Sequence, residues 1–387
     1  MKRISIFIFL CFFTAALFAQ DKAFYKTEEK DGKTKQVFTM DFSNLKKPKS
    51  IDEFKTIFHL PPVTQDRTGT CWCFSTISFL ESELNRMFKM EIKLSEMYIV
   101  YWECVEKVRR YVREKGESNM GQGSEHNAVI ERMRQYGLVR ASDYTGLINE
   151  IEKHNHSSLF KEIKSYLKYI KENEMWDEEQ VISYIKTVLN KHLGEPPETI
   201  LVDGQQITPL EYMKNNLQLN PDDYVAFMSM MYAPFFTKDE FKVPDNWWHS
   251  KEYHNVPLDM FYKAIYKAAK NGYSIALGGD VSEIGKNGKL DAAIIPEFDI
   301  PSKNINQSAR EFRYKNKTSQ DDHAIHLVGY KKMGKHTWFL IKDSARSSRY
   351  GKLKGYYMFR DDYVKLKMLN FLIHRDAVKD LLAKFDH

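Results

Sequence analysis

Gln65-Asp66-Arg67-Thr68-Gly69-Thr70-Cys71-Trp72-Cys73-Phe74-Ser75 is the stretch on which the reading of this chain turns. A loop containing Gly69 runs into a helix whose first turn holds Cys71. Apolar residues follow at Phe74, Ile77, Leu80, Leu84 and Met87, at spacings of three and four. A thiol attacks as the thiolate, and a free Cys with a pKa of about 8.5 needs help near neutrality. Part of that help comes from a helix N-terminus, whose unpaired amides and macrodipole favour negative charge. An ion pair with a protonated imidazole can supply the rest. Gln65, six residues upstream, sits on a loop able to fold back beside the thiol. Its side-chain amide can donate to an oxyanion alongside the amide of Cys71. A bare Cys is more often a small buried hydrophobe; the complete string reverses that balance.

The imidazole is sought downstream, in Asp322-His323-Ala324-Ile325-His326-Leu327-Val328-Gly329-Tyr330. Its short apolar run reads as a strand. On a strand His323 and His326 face opposite sides, which argues against one metal ion held by both. No carboxylate or Cys stands at a ligand-like spacing either, so no metal or organic cofactor is expected. His323 is the candidate base and His326 a packing residue. A third run, Trp338-Phe339-Leu340-Ile341-Lys342-Asp343-Ser344, ends on an acid. An Asp there can accept from the ring N–H, fix the tautomer and stabilise the imidazolium.

Gln, five residues, then Cys-Trp-x-Phe-Ser resembles the active-site segment of the papain family of cysteine peptidases. The Asp322-His323-Ala324 run with its trailing Gly329-Tyr330 is similar to that family's histidine strand. In the family the third strand ends in Lys-Asn-Ser-Trp; here Asp343 takes the Asn position and Ala345 the Trp position. Leu94-Ser95-Glu96-Met97-Tyr98 resembles the Leu-Ser helix that follows the catalytic helix. Gly121-Gln122-Gly123 resembles the glycine loop whose backbone pairs with substrate, a place where a peptide must approach closely. The resemblance thus implies Cys71, His323, Asp343 and Gln65 as catalytic residues and Gly121, Gln122, Gly123 and Trp72 as substrate-binding ones. Asn255-Val256-Pro257, Gly279-Asp280-Val281 and Thr318-Ser319-Gln320-Asp321-Asp322-His323 are similar to the bleomycin hydrolase and aminopeptidase C branch. In that branch C-terminal residues lie in the cleft, limit cleavage to the amino terminus and sit within a hexamer. The final run from Asp376 to His387 departs from the branch's tail and reads as an amphipathic helix.

At the amino terminus Lys2 and Arg3 precede an apolar run from Ile4 to Phe18, with small residues at Ala16 and Ala19. That is a secretory signal pattern with cleavage after Ala19, too short for a comfortable membrane span. Cleavage lowers the formal net charge from +6 to +4, which gives no reason to expect nucleic acid or membrane as partner. It also leaves Cys71, Cys73 and Cys104, an odd number in an exported chain, so at least one thiol stays unpaired within it. Cys73 and Cys104 are read either as a disulfide or as two buried thiols. With 43% apolar and 28% charged residues the composition is ordinary for a globule.

The expected fold is α+β, a two-lobed papain-like peptidase with a helical insertion. Residues 1–19 are a signal peptide, 20–58 an extended arm and 59–146 a helical lobe carrying the nucleophile. Residues 147–255 are a mostly helical insertion whose Lys- and Glu-rich part decorates the surface. Residues 256–387 are a β-rich lobe with His323, Asp343 and a C-terminal helix. The expected function is peptide hydrolysis by an exported cysteine peptidase, periplasmic or secreted, of aminopeptidase type. A homo-oligomer is left open. The rivals are an endopeptidase on the same machinery and an inactive peptidase-like binding module.

Overall fold

The computed structural model describes residues 22–30, 32–149 and 151–385; the signal segment expected at residues 1–19 lies outside the described residues. Helices α1 (Cys71–Phe88), α2 (Glu96–Arg113) and α3 (His126–Tyr136) stand where the apolar periodicity places them. In α1 every residue from Trp72 to Leu84 is buried, so its polar side chains need partners. Glu81 pairs with Lys93 at 2.8 Å and Glu83 with Arg86 at 2.6 Å. Ser78 meets His326 Nδ1 at 2.9 Å and Thr76 meets His126 Nδ1 at 2.8 Å. Ile77, Leu80 and Leu84 are fully enclosed, each contributing about 1.5–3 kcal/mol of burial that fixes the helix in place. Ser95 starts α2 by accepting from the Tyr98 amide at 3.1 Å. α3 stops at Gly137, whose φ of +76° suits glycine.

Helices α4 (Ser157–Glu172) and α5 (Glu178–Leu193) do more than decorate. Their stripes Leu159, Ile163, Ile170, Ile185 and Leu189 enter the same apolar cluster as α1 and α2. One packed face suffices for that, and the Lys- and Glu-rich faces remain outside.

The second layer is an eleven-stranded sheet. Across it run Lys286–Asn287, Ala292–Ala293, Tyr356–Arg360, His336–Lys342, His323–Met333, Ile275–Gly279, Met368–His374, Tyr224–Met228, Tyr253–Asn255 and Lys238–Asp239, with Lys55–Thr56 added to the His323–Met333 strand. α1 lies against His323–Met333 and Ile275–Gly279. Two expected boundaries shift. Tyr224–Met228 and Tyr253–Asn255, assigned to the helical insertion, pair with each other inside the main sheet, and Tyr224–Met228 pairs on its other side with Met368–His374. The arm is not simply extended, since Ala23–Lys30 and Lys33–Met40 form an antiparallel hairpin. The chain end is shorter in helix than its amphipathic pattern suggests. A 3-10 turn at Arg375–Val378 precedes a single turn at Lys379–Leu382, and Phe385 packs on His254.

Cys73 and Cys104 are buried free thiols. Cys73 donates to the Glu96 carbonyl at 3.2 Å, so the disulfide alternative is not realised. Among the described residues no helix is long and apolar enough to cross a membrane.

Candidate active site

Cys71 is the first residue of α1. The Thr70 carbonyl accepts from the amides of Cys73 (2.9 Å) and Phe74 (3.1 Å), and no side chain caps the helix. The amides at the very start of a helix have no partner within it, so the thiol sits at an end that favours an anion. Cys71 is partly exposed, unlike the two other thiols.

The loop before it is stitched in place. Gln65 receives the Ser344 hydroxyl on Oε1 at 2.7 Å, and its Nε2 donates to the Thr68 carbonyl at 2.7 Å. An amide nitrogen carries two hydrogens, so the second is free for an oxyanion. The Gly69 amide donates to Gln122 Oε1 at 2.7 Å, and Trp72 Nε1 donates to the Gln122 carbonyl at 3.0 Å. The Gly121–Gly123 loop is therefore fastened on both sides of the nucleophile, with Gln122 beside both Gly69 and Trp72.

The two glycines differ in their reason for being glycine. A Cβ on Gly123 would lie 2.0 Å from Asp245 Oδ2, so an internal neighbour forbids a side chain there. A Cβ on Gly121 would meet nothing closer than 3.9 Å, which leaves its backbone open to approach. Behind the loop, buried Lys107 donates to the Gly121 carbonyl at 3.0 Å and to that of Gly123. Lys107 went unnoticed in the sequence, although its place on the stripe Cys104, Lys107, Val108, Tyr111 marks it as inward-facing.

His323 comes from the sheet. His326 pairs with Lys342 in the antiparallel ladder. Continuing that register by one residue sets Asp343 across from Ile325, diagonal to His323 and on its face. His323 Nε2 and Asp343 Oδ1 are 2.8 Å apart, which leaves Nδ1 for the thiol. Asp322, just before, holds the strand's start by accepting from the Val281 amide at 2.9 Å and from the Ser282 hydroxyl. His326 faces the other way, under α1, as the strand parity requires.

Burial alone would push the His323 imidazole down. The Asp343 carboxylate, then Cys71, more than offset this and hold it at about 10. Burial likewise opposes charge on Asp343, yet His323 and then Lys286 bring that carboxyl down to about 2. At neutral pH the pair is imidazolium and carboxylate, with a thiol at a helix N-terminus beside them. Such an arrangement supplies a nucleophile, a proton donor and acceptor, and an oxyanion pocket. Two further acids close to this centre, Glu125 and Asp321, were not singled out from sequence. Each is an acid in a polar string, with no periodic signal to mark it.

Several known proteins are similar to this chain. The chain is 21% identical over 371 residues to aminopeptidase C of Listeria innocua, covering 84% of this chain and 82% of that one. It is 21% identical over 352 residues to aminopeptidase G of Lactobacillus delbrueckii subsp. lactis, covering 80% of each. It is 21% identical over 365 residues to aminopeptidase E of Lactobacillus helveticus, covering 82% and 81%. Among solved structures, PepW of Lactobacillus rhamnosis aligns with a TM-score of 0.65 at 17% identity, over 86% of this chain and 84% of that chain; this supports the same fold. The profile of the Peptidase C1-like family matches residues 18–121 and 110–387. With its α+β papain-like architecture, and with His323 held between Cys71 and Asp343, the chain belongs to the Peptidase C1-like family of cysteine peptidases.

Proposed function

We propose that this chain is an exported aminopeptidase in which Cys71 carries the acyl group and His323 moves the protons. The observation that carries the reading is His323, fixed by Asp343 at 2.8 Å through Nε2 and acted on by Cys71 from its other side. The Cys71 thiolate attacks the scissile carbonyl carbon. The resulting oxyanion takes hydrogen bonds from the Cys71 amide and from Gln65 Nε2. As the C–N bond breaks, the His323 imidazolium protonates the leaving amine, and an acyl-thioester remains on Cys71. Neutral His323 then takes a proton from water, whose oxygen attacks the thioester. Collapse releases the acid and restores thiolate and imidazolium. The open backbone of Gly121 pairs with the substrate backbone, while Gln122, Gly123 and Trp72 hold its loop in place.

Amino-terminal action rests on the relatives, which are named aminopeptidases. It is tested by comparing hydrolysis of an aminoacyl fluorophore with that of its N-acetyl form. The free amine is expected to be preferred by roughly tenfold or more in kcat/KM; equal rates would make the enzyme an endopeptidase on the same machinery. Export is supported by the signal pattern of residues 2–19. Amino-terminal sequencing of the protein recovered outside the cytoplasm is expected to begin at Gln20, and an intact Met1 on recovered protein would refute cleavage.

A further inference from the structure

Two carboxyl groups flank the Cys71–His323 pair and take no part in the chemistry above. Glu125 precedes α3, two residues after Gly123, and is 2% exposed. Asp321 lies two residues before His323 and is half-buried. They come from separate elements, Glu125 at the start of α3 and Asp321 just before the His323–Met333 strand, yet stand within hydrogen-bonding reach of each other. Cys71 is among the groups that act on Glu125, and His323 among those that act on Asp321. Glu125 Oε2 is fixed by Asn370 Nδ2 at 3.2 Å and the Tyr253 hydroxyl at 3.5 Å. Glu125 Oε1 and Asp321 Oδ1 are both buried, and no donor from any other residue reaches either.

Several buried acids elsewhere in the molecule are paired with cations. Glu81 has Lys93 at 2.8 Å, Glu83 has Arg86 at 2.6 Å, and Asp362 has Arg360 at 2.5 Å. Glu125 is met instead by Asp321, Asp245 and Cys71, none of which supplies positive charge. Asp321 is met by Asp245 and Asp322, with His323 the cation acting on it. Burial, and then this company, raises the Glu125 carboxyl well above the usual range and Asp321 to about 7. Two carboxyls so placed hold one proton between them and present about one net negative charge. A buried charge with preset lone pairs and no ion pair of its own is costly unless a ligand completes it.

We propose that Glu125 and Asp321 form the subsite for a primary ammonium group of the substrate, the α-amine of the residue that acylates Cys71. The assignment rests on the amino-terminal cleavage proposed above. In such a substrate the amine is only two bonds from the carbon that Cys71 attacks, so it must lie beside the Cys71–His323 pair. Asp321, partly exposed, gives the subsite its access, and buried Glu125 forms its inner side. An incoming ammonium donates to the two orphan oxygens, and its charge is matched by that of the pair. An acylated amine has neither the charge nor the donors, and it leaves the pair with only the proton the two carboxyls share.

The test uses three fluorogenic substrates: an aminoacyl fluorophore with a free amine, its N-acetyl form, and the acetyl-lysyl extension of the same residue. Each is assayed with wild type, Glu125→Gln, Asp321→Asn and the double variant, with rates counted per thiol titrated by an active-site epoxide. The double variant is expected to lose roughly 30-fold or more in kcat/KM on the free amine while the acetyl substrate is unchanged or faster. Should the double variant fail to fold, the exchange at half-buried Asp321 alone carries the same comparison. A free-amine preference that survives in the variants would overturn the subsite and leave amino-terminal cleavage standing. A loss confined to the acetyl-lysyl substrate would reassign the ammonium to a side chain and overturn the α-amine assignment. Wild type without a free-amine preference would sink the cleavage reading itself, and the subsite with it.

Discussion

Cys71→Ala is expected to lower kcat/KM by roughly 10⁴-fold or more, with little change in thermal midpoint. Cys71 opens α1, is partly exposed, and shares no hydrogen bond on which the fold depends. Alanine suits a helical position, so the loss is chemical. The other thiols cannot substitute. Burial raises Cys104 to about 12, and burial together with Glu96 raises Cys73 well above an ordinary thiol. An active-site epoxide applied under reducing conditions is therefore expected to label Cys71 alone, and peptide mapping reads this directly. Label on Cys73, or an alanine variant as active as wild type, would refute the assignment. Failure of wild type to take the label at all would favour the inactive binding module.

The elements around Cys71 were legible because local rules settle them. Phe74, Ile77, Leu80 and Leu84 repeat at helical spacing, and His323 to Tyr330 is an apolar run bounded by polar residues. What stayed hidden depends on distant partners. Tyr224–Met228 is a short strand whose neighbours are Met368–His374 and Tyr253–Asn255, and no periodicity within five residues reveals them. The α4 and α5 stripes look thin because each helix buries one side only. The site itself divides in the same way. Cys71, Gln65 and His323 lie in strings specific enough to read. Lys107, Glu125 and Asp321 matter through burial, which a Lys or an acid in a polar context does not announce. The interior glycine at Gly123 was read as open to substrate, whereas its missing side chain makes room for Asp245.

Asp343 is the position where charge, rather than geometry alone, is at stake. Its Oδ1 accepts from His323 Nε2 and from the Ala345 amide, both at 2.8 Å, and its Oδ2 is buried without a partner. Asp343→Asn keeps an acceptor oxygen for the ring, so orientation and tautomer are retained. The variant removes the largest influence that opposes burial at His323, so the imidazolium is deprotonated at lower pH than the value of about 10 in wild type. Leaving-group protonation requires the imidazolium, and activity falls as pH rises through the pKa of that group. The alkaline limb of kcat/KM is thus expected to move towards neutrality by about one to three pH units in Asp343→Asn. At pH 7 the same variant is expected to stay within about tenfold of wild type. Asp343→Ala loses the acceptor as well as the charge, frees the ring to turn, and is expected to cost about 10²-fold or more at every pH. An alkaline limb that stays in place in Asp343→Asn would show that the carboxylate's charge does not govern His323. A limb that moves as stated would give the Asp its function: it extends the thiolate–imidazolium pair into more alkaline solution than a neutral amide could.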